Sequence, residues 1–322
     1  MGLMRIAHFT DLHLLHLHGA RFVDFLSKRW IGAMNLLANR GRQYQVEVFE
    51  ALVRDLSAAH IDHAICTGDI TNLALEQEFV FARQRFDEIP LGPGEVTVLP
   101  GNHDAYVARG LRYFTRHFAD YHDSDDRWAW PDGSSWPLVR VRGDVAVIGL
   151  STSRKTPWFF AYGRLGRVQL ERLRRVLDDR RLADKFRIIA VHHPPVGGRA
   201  RSVIRGFRGH EELARVIAAA GAELVLHGHE HEEVSESLPG PDGARIPVRG
   251  IQACTYNGGS VERRARYRVY EIGGPARSAG QSGAQVPLAG RSRPVLLAQE
   301  DRVWDPECKV FIGREPVVAA AA

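Results

Sequence analysis

The chain has 322 residues, with 43 Lys and Arg against 38 Asp and Glu and an apolar content of 44%. That is enough to bury a large core, and the net charge of +5 favours anionic partners. The three scattered cysteines, Cys66, Cys254 and Cys308, exclude a disulfide framework. The start of the chain lacks an apolar leader, and there is no run of 18 uncharged apolar residues, so the expectation is a cytoplasmic chain without a membrane span.

In chain order, "MRIAHFT" is a short apolar strand, and "EVFEALVRDLSAAH" sets Val48, Leu52, Leu56 and Ala59 at helical spacing. "DHAICTGD" is a second strand ending in Gly-Asp, "EQEFVFARQRFDEI" a helix, and "EVTVLPGNHD" a third strand closed by Pro100-Gly101. "PLVRVRGDVAVIGL" is a hairpin turning at Gly143-Asp144, followed by a long basic helix in "LGRVQLERLRRVLDDRRLA". "FRIIAVHHPP" is a strand stopped by two prolines. "HEELARVIAAAG" is a helix with a Gly stop, "AELVLHGHEH" the strand after it, and "IPVRGIQACT" and "RYRVYEIG" are closing strands. The alternation is that of an α/β chain with mixed sheets. Residues 273–294 are rich in Gly, Ser, Ala, Arg, Gln and Pro and read as a flexible linker. The remaining 295–322 is a C-terminal tail that either docks back as a strand or stands apart.

Five strand ends carry candidate ligands: Asp11 and His13 in "DLH", Asp69 in "GD", Asn102 and His103 in "GNHD", His192 in "HHPP", and His229 and His231 in "GHEH". Ligands gather at such ends because the loops there are held on a rigid base. In "DLH" and "GHEH" the polar residues stand two apart, so in extended chain they point the same way. Mixed His, Asp and Asn donors suit two metal ions, Mn, Fe, Zn or Ni, without choosing among them, and the expected cofactor is a pair of divalent ions with manganese first.

The series "DLH … GD … GNHD … H … GHEH" resembles the signature of the calcineurin-like metallophosphoesterases from about Arg5 to Ile272. The resemblance implies a four-layer α/β/β/α sandwich of two mixed sheets with a dimetal site at one edge, occupying 1–272. It implies Asp11, His13, Asp69 and His231 on one ion and Asp69, Asn102, His192 and His229 on the other, with Asp69 bridging. His192 is preferred to His193 because the family's ligand stands two residues before the proline, here Pro194. It further implies hydrolysis of a phosphate ester by a metal-bridging hydroxide, with His103 beside the leaving oxygen and oriented by Asp104. Of the remaining histidines, His8 is expected to pack beneath the site, and His16 and His18 to be solvated. His193 and His227 should point away by alternation.

A non-catalytic relative would have lost ligands, and here every ligand position is filled. A nuclease would need a nucleic-acid surface, and the helix "RVQLERLRRVLDDRR" interleaves Glu171, Asp178 and Asp179 with its arginines, so no stable nucleic-acid partner is expected. Substrate choice is expected in two cap insertions, 20–43 and 105–137, and in "KTPWFFAYGRLG" and "GGRARSVIRGFRG", which mix aromatics with arginines. The first insertion is a basic amphipathic stretch suited to a membrane surface or an acylated substrate. "SKRWIGAMNLL" is similar to one branch of the pyrophosphatases that cleave UDP-2,3-diacylglucosamine to lipid X and UMP. The commonest branch has Arg where this chain has His103, whereas cyclic-nucleotide phosphodiesterases share "GNHD" and "HHPP". The substrate is thus expected to be an anionic phosphate ester, acylated or a cyclic nucleotide, reached from the cytoplasm or peripherally at the inner face of the membrane.

Overall fold

The computed structural model describes residues 2–20, 29, 45–257, 260–274 and 293–318. The insertion expected at 20–43 and the linker at 273–294 therefore fall almost wholly outside the described residues.

Two mixed sheets face each other. The first runs β14-β13-β12-β1-β2-β3, with β15 (Val317–Val318) also on β13. Its strands are β1 (Met4–Phe9), β2 (His63–Cys66), β3 (Val96–Val98), β12 (Arg266–Gly273), β13 (Val295–Asp305) and β14 (Val310–Gly313). The second runs β10-β11-β9-β7-β5-β4. It comprises β4 (Leu138–Arg142), β5 (Val145–Gly149), β7 (Phe186–Ala190), β9 (Leu224–His227), β10 (Val234–Pro239) and β11 (Arg245–Gly250). A two-stranded piece pairs β6 (Gly163–Arg164) with β8 (Phe207–Arg208).

The strands are near-continuous apolar runs because both faces of each sheet are covered. Along β5, Val145 and Val147 face the other sheet, and with Phe186, Ile188, Leu224 and Leu226 of their own sheet they meet Ile6 and Ile65 across the interface. The alternate residues Ala146 and Ile148 face outward, onto α4 (Arg167–Leu177) and α5 (His210–Ala220) through Leu173, Leu213 and Ile217. On the first sheet Ala7, Phe9, Ala64 and Cys66 face outward. They meet α1 (Val46–Ala58), α2 (Glu76–Phe86) and α3 (Gly110–His122) through Phe49, Leu52, Phe79, Phe86, Phe114 and Phe118. The order is helices, sheet, sheet, helices: the expected α/β/β/α sandwich.

Two segments, 105–137 and the basic helix, differ from the reading of the sequence, and the C-terminal tail settles an alternative that reading left open. Within 105–137, expected to be a cap insertion, Gly110–His122 is a helix of the outer core, with Phe114, Phe118 and Tyr121 buried there. Trp128 and Trp130 pack against the second sheet's core beneath Arg181 and Arg172. The aromatics of that stretch are therefore explained by packing. The chain beyond 294 docks: β13 runs antiparallel along β12, and Trp304 and Phe311 are buried in the outer core. The basic helix ends at Leu177, and the following Asp179 caps a short 3-10 turn at Arg180–Leu182 instead of continuing it.

Candidate metal centre

β1, β2 and β3 are mutually parallel, as are β5, β7 and β9, so their C-terminal ends lie along one edge of the sandwich. The loops leaving β1, β2, β3, β7 and β9 carry Asp11 and His13, Asp69, Asn102 and His103, His192, and His229 and His231. Strand pairing continues into them: the Asp11 amide donates to Gly68, that of His13 to Asp69, and that of Gly228 to His192. Side chains then tie one sheet to the other. Asp11 Oδ2 accepts from the His229 amide at 2.9 Å, and His192 Nδ1 donates to the Thr67 carbonyl at 2.8 Å.

Five of the ligand candidates, Asp11, His13, Asp69, His229 and His231, have φ between 46° and 74°. The left-handed region is uncommon for residues with a Cβ and marks a conformation enforced by its surroundings. Glycines allow the close approach. A Cβ on Gly101 would collide with the Asp69 carboxylate, and one on Gly228 would strike Thr10 and Asp11.

Carbonyl partners settle the imidazole tautomers, since a carbonyl only accepts. His192 gives its Nδ1 proton to Thr67, which leaves the Nε2 lone pair for the site. His229 gives Nε2–H to the Arg205 carbonyl at 3.0 Å, which leaves Nδ1. Both of these nitrogens face Asn102 Oδ1, at 3.1 and 2.7 Å, so three acceptor atoms converge. His231 Nε2 lies 3.1 Å from Asp11 Oδ1 and 3.2 Å from His13 Nε2. Asp69 Oδ1 takes the His103 amide at 2.7 Å, while its Oδ2 stands 3.5 Å from His192 and 3.9 Å from His13, between the two groups. Neighbouring ligands on one ion at ~2.1 Å stand roughly 3 Å apart. The donor set therefore fits divalent cations, with the Asp69 carboxylate standing between the two groups. Its N and O chemistry does not select the metal.

Burial and charge push the site's groups apart. Burial raises the Asp11 carboxyl, but the facing His231 outweighs it and brings the group down to about 2. Asp69 is held well below the usual carboxylate range, since His192 and His103 overcome its burial. Burial lowers His192, yet Asp69 lifts it to about 9. His13 and His229 are driven well down, by burial first and by His103 and His193 respectively. Asp11 and Asp69 are thus anionic and His13 and His229 neutral, as the ligands of a cation must be, while the proton that Asp69 favours on His192 would have to leave before that imidazole could bind an ion.

The other expectations resolve individually. His103 stands with its ring 4.6 Å from that of His13, stacked on Tyr106, but it is not oriented by Asp104. Its Nδ1 donates to the Asn72 carbonyl at 2.7 Å. Asp104 turns the other way: it accepts from the amides of Gly101, Ile70 and Thr71 and the Thr71 hydroxyl, at 2.8–3.2 Å. Burial and the nearby Asp69 push its carboxyl up. Asp104 therefore binds the Asp69 loop to the Asn102–His103 loop. His193 approaches His192 and His229 closely, but its Nδ1 meets the Thr152 hydroxyl and its Nε2 the Ala161 carbonyl, so no lone pair remains for a metal. His8 packs beneath the site against Thr67. His227 is buried, with Nδ1 on the Gly228 carbonyl. His18 is exposed, whereas His16 stacks on Phe81 and is half-buried. Four groups escape motif reading: the Thr10 hydroxyl on Asp11, and the carbonyls of Thr67, Asn72 and Arg205. A carbonyl is present at every residue, so only the fold distinguishes these three.

The family model of the calcineurin-like phosphoesterases matches residues 4–233. Among solved structures, the chain is similar to a dimetal phosphatase from Danio rerio, at 12% identity and TM-score 0.57 over 84% of this chain and 94% of that one. A purple acid phosphatase from yellow lupin (Lupinus luteus) seeds is 12% identical with TM-score 0.54, over 84% of this chain and 49% of the lupin chain. At these identities the likeness shows the shared fold. A search of curated protein sequences finds no match. Seven converging donors on matching motifs, in a sandwich of the matching architecture, lead to one assignment: the chain belongs to the calcineurin-like phosphoesterase family and is a metal-dependent phosphoesterase.

Proposed function

We propose that this phosphoesterase cleaves a phosphodiester or pyrophosphate bond in a substrate with a large apolar portion, of the acylated nucleoside-diphosphate-sugar type. The hydrolytic part rests on the donor set. Asp11, His13, Asp69 and His231 would hold one divalent ion and Asp69, Asn102, His192 and His229 the other. Two such ions supply Lewis acidity toward phosphoryl oxygens and lower the pKa of water. The chain's own residues complete the site. Asn102 is a neutral donor, so the set keeps a net positive charge where a third carboxylate would reduce it. His103, with Nδ1–H committed to Asn72, would in its imidazolium form give the Nε2 proton to the departing oxygen, an effect worth ~10²–10⁴-fold. The stacked Tyr106 ring limits tilting of that imidazole.

The substrate reading is carried by one observation, an apolar rim on two joined loops. Trp158, Phe159, Val203 and Ile204 are each more than half exposed. The Ala161 amide donates to the Ile204 carbonyl, and the next residue, Arg205, holds His229. A hollow of ≈ 540 Å³ lies between Tyr106–Ala108 and Lys155–Trp158, next to the ring stacked on His103. Exposed clusters of this kind mark binding surfaces, and the rim would also serve peripheral contact with a membrane that holds the substrate. Among the described residues no helix is long and apolar enough to cross one.

The test is a side-by-side assay with Mn²⁺ on bis-p-nitrophenyl phosphate, cyclic AMP and UDP-diacylglucosamine. Preference for the acylated substrate, lost in Phe159→Ser and Ile204→Ser while bis-p-nitrophenyl phosphate turnover is kept, supports the proposal. Preference for cyclic AMP, unchanged in those variants, replaces it with the phosphodiesterase reading that "GNHD" and "HHPP" share.

A further inference from the structure

The stretch from Ile70 to Leu75, between Asp69 and α2, has no regular backbone partners of its own along most of its length, yet it is buried throughout. The Asp69 carboxylate immediately precedes it, and the Asn72 carbonyl within it receives the His103 ring. Asp104 takes the amides of Ile70 and Thr71. Beyond Asn72, two further side chains, a carboxyl and a guanidinium, take over. Glu78, fully buried on the first turn of α2, accepts with Oε2 from the amides of Leu73 at 2.9 Å and Leu75 at 3.0 Å. Arg29, itself buried, donates Nε to the Leu73 carbonyl at 2.8 Å and a terminal nitrogen to the Ala74 carbonyl. Ala74 sits at φ 55°, a conformation its own side chain disfavours.

We infer that Arg29 and Glu78 form a two-sided clamp on residues 73–75 that fixes the Asn72 carbonyl, and through it the tautomer and aim of the His103 imidazole. Glu78 holds the strap by its amides and Arg29 by its carbonyls, so the Asn72 carbonyl immediately upstream has no freedom to swing. Both act through His103 and are positioning residues. Neither belongs to the family signature that marks the ligands. The inference rests on the reading of His103 as the group that protonates the leaving oxygen.

The test uses the full-length, Mn²⁺-loaded enzyme and a series of aryl phosphodiesters from p-nitrophenyl to p-methoxyphenyl, with kcat plotted against leaving-group pKa. A lost or misaimed acid steepens that slope, because poor leaving groups need the proton most. His103→Ala sets the limiting slope. Arg29→Ala and Glu78→Ala are expected to steepen it toward that limit at unchanged metal content and KM, with losses up to ~100-fold on the poorest leaving group. Glu78→Gln, which still offers an oxygen to both amides, is expected to restore the wild-type slope. If the alanine variants do not fold, Arg29→Lys, whose single ammonium replaces a fork spanning two carbonyls, must still be steeper than wild type. Wild-type slope in Arg29→Lys and in any folded alanine variant, with only melting temperature lowered, overturns the clamp. Wild-type slope in His103→Ala instead overturns the acid role itself and leaves the clamp without its target.

Discussion

Asp104 is the residue whose role changed most between sequence and structure, and its replacement gives the sharpest test of the new role. Asp104→Ala removes the acceptor for three amides and one hydroxyl, all from buried groups. Each orphaned buried donor costs ~1–3 kcal/mol, and because four of them relax together about 4 kcal/mol in total is a reasonable scale. Unfolding entropy of ~2.1 cal/mol/K per residue makes 1 kcal/mol worth roughly 1.5 °C in a chain of this length, so the melting temperature should fall by about 6 °C. The functional consequence is distinct from the loss of an acid. With the Asp69 and Asn102–His103 loops no longer joined, metal content should drop below two ions per chain while the fold persists. Differential scanning calorimetry and elemental analysis of the dialysed protein read the two effects. An Asp104→Ala protein that melts with the wild type and retains both ions, yet has lost turnover on poor leaving groups alone, would refute the loop-joining account and return Asp104 to orienting His103.

Asp69→Ala should lose both ions and more than ~100-fold in turnover, since even outer partners of metal ligands cost 10–100-fold, and elemental analysis with a bis-p-nitrophenyl phosphate assay checks it. His103→Ala should keep both ions and slow poor leaving groups by ~10²–10⁴-fold, read as kcat against metal content. His63 is held well below its ordinary 6.5 by burial and by Arg140 and Arg142, so below about pH 6.5 the unfolded chain takes up a proton that the folded chain refuses. Stability therefore falls as pH drops from there, and His63→Gln should flatten the decline seen in urea melts by up to ~1.4 kcal/mol per pH unit. Phe159→Ser with Ile204→Ser should raise KM for an acylated substrate and leave the melting temperature unchanged, because both side chains are largely solvated.

The sandwich was legible because its signal is periodic. The apolar runs of β1, β2, β7 and β9, each ending in a polar cluster, specify strands covered on both faces with ligands at one edge, and periodicity does not depend on distant contacts. The ligand set was legible for a related reason: a donor must be a particular side chain, so its identity is written in the sequence. The roles of Phe114, Phe118 and Tyr121 were not, since an aromatic in a cap and one in a core are the same residue. Only the sheet lying beneath α3 decides between them. The orientation of Asp104 escaped for another reason. Adjacency to His103 suggested a pair, but one residue further along a turn sends the side chain to the opposite side, toward Gly101 and Thr71.

The backbone of the site explains why so many buried polar groups surround it without binding a metal themselves. Five ligand candidates sit in the left-handed region, each at roughly 1–2 kcal/mol above a relaxed conformation. Together that strain is comparable to the ~5–15 kcal/mol that holds a whole domain folded. The loops therefore cannot keep this shape through their own preferences. They are held by bonds from outside: Thr10 and the His229 amide on Asp11, Asp104 across two loops, Thr67 on His192 and Arg205 on His229. Two of these bonds, the His229 amide on Asp11 and Thr67 on His192, run from one sheet to the other, so the packing of the two sheets sets the spacing of those donors. Metal ions then need only to enter a set already assembled, and ordering the ligands does not have to be drawn from the free energy of binding them. This is also why removing the side chains of Asp104 and Thr10, which touch no ion but bond the Asp69 loop and Asp11, should lower metal affinity.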